Sequence, residues 1–135
     1  MNIPSNLLYT NTDEWVRVED DGTIVVGITD YAQGQLGEVV YVDLPSLSND
    51  DDAVDVGDDV CVVESVKAAA DIYAPIAGMI VEVNYELQEM PSCLNNDPYG
   101  DGWLFRLKPA SMDDCEQLMS SEDYEDRLSD VDTEE

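Results

Sequence analysis

Period-two alternation of apolar and polar positions dominates the first 108 residues of the chain. In "TIVVGIT" Ile24, Val26 and Ile28 share a face, and in "EVVYVDLP" Val40, Val42 and Leu44 do. The same spacing recurs at Val60 and Val62 in "GDDVCVVES", at Met79, Val81 and Val83 in "GMIVEVN", and at Trp103, Phe105 and Leu107 in "GWLFRLKP". Successive side chains of a strand point to opposite faces, so each segment predicts a strand with one buried side. Short strands punctuated by Gly and Pro predict a mostly β fold of two antiparallel sheets, arranged as a sandwich or barrel. Between the first two strands, "TDYAQGQLGE" predicts a short connecting helix, capped by Thr29 or Asp30 and ended by Gly37.

After "KPAS" the spacing becomes helical. Met112, Cys115, Leu118 and Met119 form one stripe, and Tyr124, Leu128 and Val131 another. Ser111 followed by Asp114 resembles a capping box, so a helical hairpin packed on the sheet is expected to close the chain. The end, "DVDTEE", is expected to fray. At 135 residues and 14.9 kDa, one domain over 1–135 is expected, with a β core over 1–110 and an acidic helical segment over 111–135.

Charge narrows the possible partners. Thirty-two acidic side chains against five basic ones give a net charge of −27, which repels nucleic acid and anionic membrane surfaces. The acidic residues concentrate in "NDDDAVDVGDD" (49–59) and after Ser111 but are also scattered elsewhere, as on a solvated surface. A host with high internal salt would screen such self-repulsion. Histidine is absent, which removes the histidine-dependent nucleophile systems and the commonest metal ligand. Neither a phosphate-cradling GxxxxGK[ST] nor a GxGxxG occurs. Cys61, Cys93 and Cys115 are widely separated and form no CxxC pair, so three free thiols are expected, with neither a disulfide framework nor a zinc site. No apolar run approaches the roughly 20 residues of a membrane span, and "MNIPSNLLYT" lacks a basic segment followed by an apolar one. A soluble, cytoplasmic protein is expected.

The chain has only two lysines, and one of them sits in the middle of "VVESVKAAADIYAPIA" (62–77). "VG" lies ten residues before Lys67, and "AG" begins ten residues after it. Two β-rich arms therefore meet at "SVKA", predicting a hairpin over about 56–84 with Lys67 at its tip between Val66 and Ala68 to Ala70. Only Glu64 and Asp71 are near enough in sequence to pair its ammonium. Spacing leaves two readings open: an ordinary exposed turn lysine, or a lysine presented to an enzyme that acylates it and removes its charge.

The stretch "ESVKAAADIYAPIAGMIVEVN" resembles the lipoyl-attachment segment of the H protein of the glycine cleavage system. The likeness continues through "YTNTDEWV", "GITDYAQGQLGEVVYVDLP", "NNDPYGDGWLFRLKP" and the acidic helical end, and so covers essentially the whole chain in order. Biotin carriers and the lipoyl domains of 2-oxo acid dehydrogenases share a similar hammerhead-like fold but lack the flanking "DEWV" and "GITDYAQ" segments.

The resemblance implies that Lys67 bears lipoic acid in amide linkage and that the chain is a non-catalytic shuttle. A pyridoxal-phosphate glycine decarboxylase would load the arm with the aminomethyl group of glycine. An aminomethyltransferase would pass that carbon to tetrahydrofolate, and a flavin-dependent dihydrolipoamide dehydrogenase would reoxidise the dithiol. A lipoate-attaching enzyme would act first, and the carrier would work as a monomer. The resemblance also implies a cleft that shelters the cationic cargo, with Glu14 and Asp71 as its carboxylates and Gln35 lining it where some relatives have histidine. Trp15 and Trp103 read as core or cleft aromatics, Tyr99 and Gly100 as a turn, and Pro75 with Gly78 as the exit from the hairpin. Two departures from the family stand out: Asp13 where histidine often precedes "EW", and Ala77 where serine is common. The alternative is an H-like protein that relays octanoyl or lipoyl groups, or carries sulfur intermediates, without glycine chemistry. An unmodified acidic interaction module is the third reading.

Overall fold

The structure is a computed structural model that describes residues 3–45 and 52–132, the side chains of 130–132 excepted. Two strands, β2 (Glu14–Val18) and β3 (Ile24–Ile28), pair antiparallel across a turn in which Gly22 adopts a φ of 87°, a conformation glycine takes without steric cost. β3 then pairs with β9 (Phe105–Pro109), and β9 with β8 (Gly78–Val83). Short strands β1 (Leu8–Tyr9) and β5 (Ala53–Val54) complete a six-stranded sheet of order β1-β2-β3-β9-β8-β5. The second sheet has the order β4 (Val39–Asp43), β6 (Asp59–Ser65), β7 (Ala69–Tyr73). All pairings are antiparallel, as the alternation and turn residues predicted.

The sheets are joined through α1 (Asp30–Leu36). Thr29 caps it, its Oγ1 accepting from the Ala32 N–H at 3.2 Å, and Gly37 ends it with a φ of 77°. A second short helix, α2 (Cys93–Asn96), precedes β9. Every residue of β3 is buried: Ile24, Val26 and Ile28 enter the main core, and Val25 joins a second cluster on the opposite face. Phe105 and Leu107 are buried as expected, and Trp103 packs half-buried against the second cluster.

Three strands depart from the expected alternation, each at a β-bulge. In β4 the irregularity between Val39 and Tyr41 turns Val40 out to 49% exposure and leaves Val39, Val42 and Leu44 inward. In β6, Cys61 and Val63 are buried instead of Val60 and Val62, beyond an irregularity between Asp59 and Cys61. In β8, Ile80 and Val83 point inward while Met79 and Val81 are exposed, around an irregularity between Ile80 and Glu82. One extra residue in a strand exchanges its two faces, and simple alternation carries no signal for that insertion.

The expected helical hairpin is also corrected. Ser111 caps a 3-10 turn, Met112–Gln117, through its Oγ and the Asp113 N–H. Met119 then runs extended, exchanging two backbone hydrogen bonds of 2.8 Å with Tyr9, before α3 (Ser121–Asp132) begins. The single stripe is thereby divided: Met112 is exposed, Cys115 and Leu118 pack on the main core, and Met119 on the second cluster. Tyr124 and Leu128 are buried as their spacing predicted, with the Tyr124 ring stacked on Tyr9 at 4.8 Å and 5°. The Val131 side chain, residues 133–135 of the acidic end and residues 49–51 of the acidic run lie outside the described residues. No helix among the described residues is long and apolar enough to cross a membrane.

Candidate functional site: the Lys67 tip and its cleft

Lys67 stands at the tip of the β6–β7 hairpin. The turn is set by Ser65, whose N–H donates to the Ala68 carbonyl at 2.7 Å and whose Oγ accepts from the Lys67 and Ala68 N–H groups at 3.3 and 3.0 Å. A hydroxyl that satisfies neighbouring backbone amides closes a tight turn without the Asn-Gly or Asp-Gly pair that usually marks one. The Val66 N–H donates to the Glu38 carbonyl at 3.1 Å, fastening the tip to the segment after α1. Val66 and Lys67 are both exposed, and a β carbon placed on Gly37 would lie 3.5 Å from the Lys67 Cε, so the lysine stem leans on the end of α1. Each of the three arginines forms an ion pair; among the described residues neither lysine does. The ammonium therefore stays available despite the acidic surroundings.

Beside the tip lies a cleft of about 280 Å³. One wall is the turn before β2, with Thr12 and Asp13; the second is the end of β3 and α1, with Ile28, Gln35 and Leu36; the third is β7, with Ala70 and Asp71. Its lining joins aliphatic side chains to an amide, a hydroxyl and two carboxylates. That composition suits a flexible alkyl arm carrying a polar or cationic end, and Ala68, next to Lys67, lies in the same lining.

Of the residues singled out from the sequence, the structure brings Gln35 and Asp71 together in this cleft and places Glu14 behind it. Glu14 is 1% exposed and borders a neighbouring cavity of about 480 Å³. Its Oε1 accepts from the hydroxyls of Thr10, at 2.6 Å, and Thr12; its Oε2 accepts from the Tyr73 N–H at 3.4 Å. Burial raises the Glu14 carboxyl above the ordinary range, against the lowering effect of these hydrogen bonds. Thr12 lines both cavities and so stands between Glu14 and the cleft.

The remaining aromatic and turn residues frame the site. Trp15 is fully buried and donates from Nε1 to the Pro98 carbonyl at 2.8 Å. Tyr99, in the turn with Gly100, accepts the Asp30 N–H at 2.9 Å. Pro75 is buried, and Gly78 lies where a β carbon would collide with the Lys108 carbonyl oxygen.

Sequence reasoning passed over three residues. Asp13, noted only as a departure from histidine, lies in the cleft lining with a φ of 72°. Tyr124, read as a core position, hydrogen-bonds to Asp13 at 2.9 Å. Asn95 accepts the Val39 N–H at 2.9 Å and donates to the Gly37 carbonyl at 2.8 Å and to Gln33 Oε1 at 3.0 Å, binding α2 to the end of α1 beside Lys67. An asparagine inside "NNDPYG" signals a turn; its partners 56 to 62 residues away leave no mark on that signal.

Comparison with known proteins agrees with this architecture. The profile of the family described as "Glycine cleavage H-protein" matches residues 7–131. The glycine cleavage system H protein of Psychrobacter sp. is 53% identical over 127 residues, covering 94% of this chain and 98% of its own. That of Thermus thermophilus is 54% identical over 128 residues, covering 95% and 97%. The crystal structure of a glycine cleavage system H protein from Mycobacterium marinum superposes with a TM-score of 0.83 at 34% identity, over 94% of this chain and 99% of that one. With a profile match across nearly its whole length, relatives above half identity and the same two-sheet fold, the chain belongs to the glycine cleavage H-protein family.

Proposed function

We propose that the chain is the lipoyl carrier of glycine cleavage, with lipoic acid in amide linkage to Lys67. The observation that supports this most directly is an exposed lysine, without an ion pair among the described residues, on a fastened hairpin tip beside a cleft whose lining is part aliphatic and part acidic. When attached, the lipoyl group supplies a disulfide that opens to accept the aminomethyl cargo. The chain's own residues do the rest. Ser65 and the Val66 N–H hold the lysine outward for the attaching enzyme and for each partner in turn. Ile28, Leu36 and Ala70 offer the arm a surface away from water, and Asp71 with Gln35 offers the cargo's ammonium a carboxylate and an amide oxygen. Glu14 acts from behind Thr12, holding that hydroxyl in place.

On this reading the protein is not an enzyme. It works as a monomer that visits the pyridoxal-phosphate glycine decarboxylase, the tetrahydrofolate-dependent aminomethyltransferase and the flavin-dependent dihydrolipoamide dehydrogenase, after a lipoate-attaching enzyme has acted on Lys67. At a charge of −27, those partners either present basic patches or bind in salt that weakens steering.

The test is the intact mass of the protein isolated from its own host, with fragmentation across residues 60–80. One lipoyl group on Lys67 is the expected result. An octanoyl group there instead favours the relay reading, and an unmodified Lys67 in a host whose other lipoyl proteins are modified overturns the proposal.

A further inference from the structure

The C-terminal helix reaches Asp13 of the cleft lining through two side chains, the Tyr124 hydroxyl and the Arg127 guanidinium. Tyr124 is fully buried, its ring stacked on Tyr9, and its oxygen lies 2.9 Å from Asp13 Oδ1 and 2.7 Å from Thr29 Oγ1. The Tyr124 hydroxyl donates its one proton to Asp13, so the Thr29 hydroxyl must donate to Tyr124. Thr29 Oγ1 in turn accepts the Ala32 N–H. The result is a chain of hydrogen bonds, Ala32 to Thr29 to Tyr124 to Asp13, closed by Arg127 of the same helix at 3.4 Å from Asp13 Oδ1. Burial is the main cause that raises the Tyr124 hydroxyl above its ordinary range, so it stays protonated and keeps its donor role.

The two ends of this chain are two walls of the cleft. Asp13 belongs to the turn wall, and Ala32, with Gln35 one turn later, belongs to the α1 wall. The Asp13 backbone repeats the tie: its carbonyl accepts the Thr29 N–H at 3.0 Å, and the residue holds a φ of 72°, a left-handed conformation that aspartate keeps at some steric cost. To this backbone tie α3 adds a side-chain one, the Tyr124 hydroxyl, which reaches both walls.

We propose that Tyr124 is a positioning residue that holds the turn and α1 walls of the Lys67 cleft at a fixed separation, so that α3 completes the shelter for the carried group. This rests on reading the cleft as the arm's resting place.

Two measurements on Tyr124→Phe test it, since phenylalanine keeps the stacked ring and removes the hydroxyl. The first uses the unmodified chain and amide hydrogen exchange. Exchange at Thr29 and Ala32 should accelerate by about tenfold, the effect of losing one hydrogen bond to a charged group, while Ser65 at the hairpin tip stays unchanged. Acceleration confined to α3 overturns the proposal. The second uses the lipoylated chain, reduced and loaded with formaldehyde and ammonium: a thiol, CH2O and NH4+ give the S-aminomethyl thioether and water, and hydrolysis runs the same balance backwards. Tyr124→Phe should release formaldehyde about tenfold faster, and that acceleration should vanish in an Asp71→Asn background, because the turn and α1 walls act by keeping the cargo against the Asp71 carboxylate of the third wall. Independent, multiplicative effects overturn the proposal, since a merely structural tyrosine gives that result. Asp13→Asn, which weakens the same bond from its other end, should shift both readouts in the same direction. If Lys67 proves unmodified in the host, the carrier reading fails, and the exchange result still decides whether Tyr124 couples the walls.

Discussion

Gly27 lies directly opposite Trp15 in the β2–β3 pair, and a β carbon on Gly27 would meet the indole ring at 2.6 Å. The indole fills the space that a side chain at 27 would take, and it cannot swing aside while its Nε1 donates to the Pro98 carbonyl. Gly27→Ala should therefore destabilise the protein by about 1–3 kcal/mol through overpacking, read as a lowered denaturation midpoint. Unchanged stability would mean that the indole has room to move.

At the attachment tip, stability and presentation separate. Lys67→Arg should leave the unfolding free energy within about 0.5 kcal/mol, because the side chain is exposed and makes no ion pair among the described residues, and should abolish lipoate attachment. Ser65→Ala removes the acceptor for two tip N–H groups, and should cost about 1 kcal/mol and slow attachment to an intact Lys67. Attachment rates and denaturant midpoints, taken on the same samples, check both.

Asn95→Ala withdraws the partner of the Val39 N–H, the Gly37 carbonyl and the Gln33 side chain together. With a half-buried site, a loss of about 2 kcal/mol is expected, and exchange of the Val39 amide should rise before global unfolding. Equal protection of Val39 in both proteins would show that the strand holds without this clasp.

Burial raises the Glu14 carboxyl above 4.5, so the folded protein binds that proton more tightly than the unfolded chain does. Its contribution to stability is fully present below the unfolded value and is lost as pH climbs through the folded one. Glu14→Gln, which keeps an oxygen to accept from Thr10 and Thr12, lacks this loss. The stability difference between variant and parent should move in favour of the variant as pH rises from about 4.5, the ordinary carboxyl value, and then level off. A difference independent of pH would place Glu14 in a wetter setting than its 1% exposure indicates.

The type and order of β3, α1, β4, β6, β8 and β9 were readable locally, whereas β1, β2 and β5 were not. Strand alternation, the Thr29 cap and the Gly37 stop depend on residues a few positions apart, and α1 formed where they placed it. Which face of β4, β6 and β8 went inward was not readable, because each bulge shifts the register by one and is set by the partner strand. Met119 likewise left the expected helix for the sake of two bonds to Tyr9, 110 residues away in the chain.

By itself, the sequence determined that Lys67 sits at the end of a hairpin with small, uncharged neighbours, because a turn between two alternating runs is a short-range property. Only the tertiary structure decided what that lysine faces. Gln35 and Asp71 meet in one cleft, Glu14 withdraws behind Thr12, and Asp13 enters the lining under the hold of Tyr124, 111 residues distant. A cleft is made of walls from distant segments, and the hydrogen bonds that fix their spacing arise only once the core has brought those segments together.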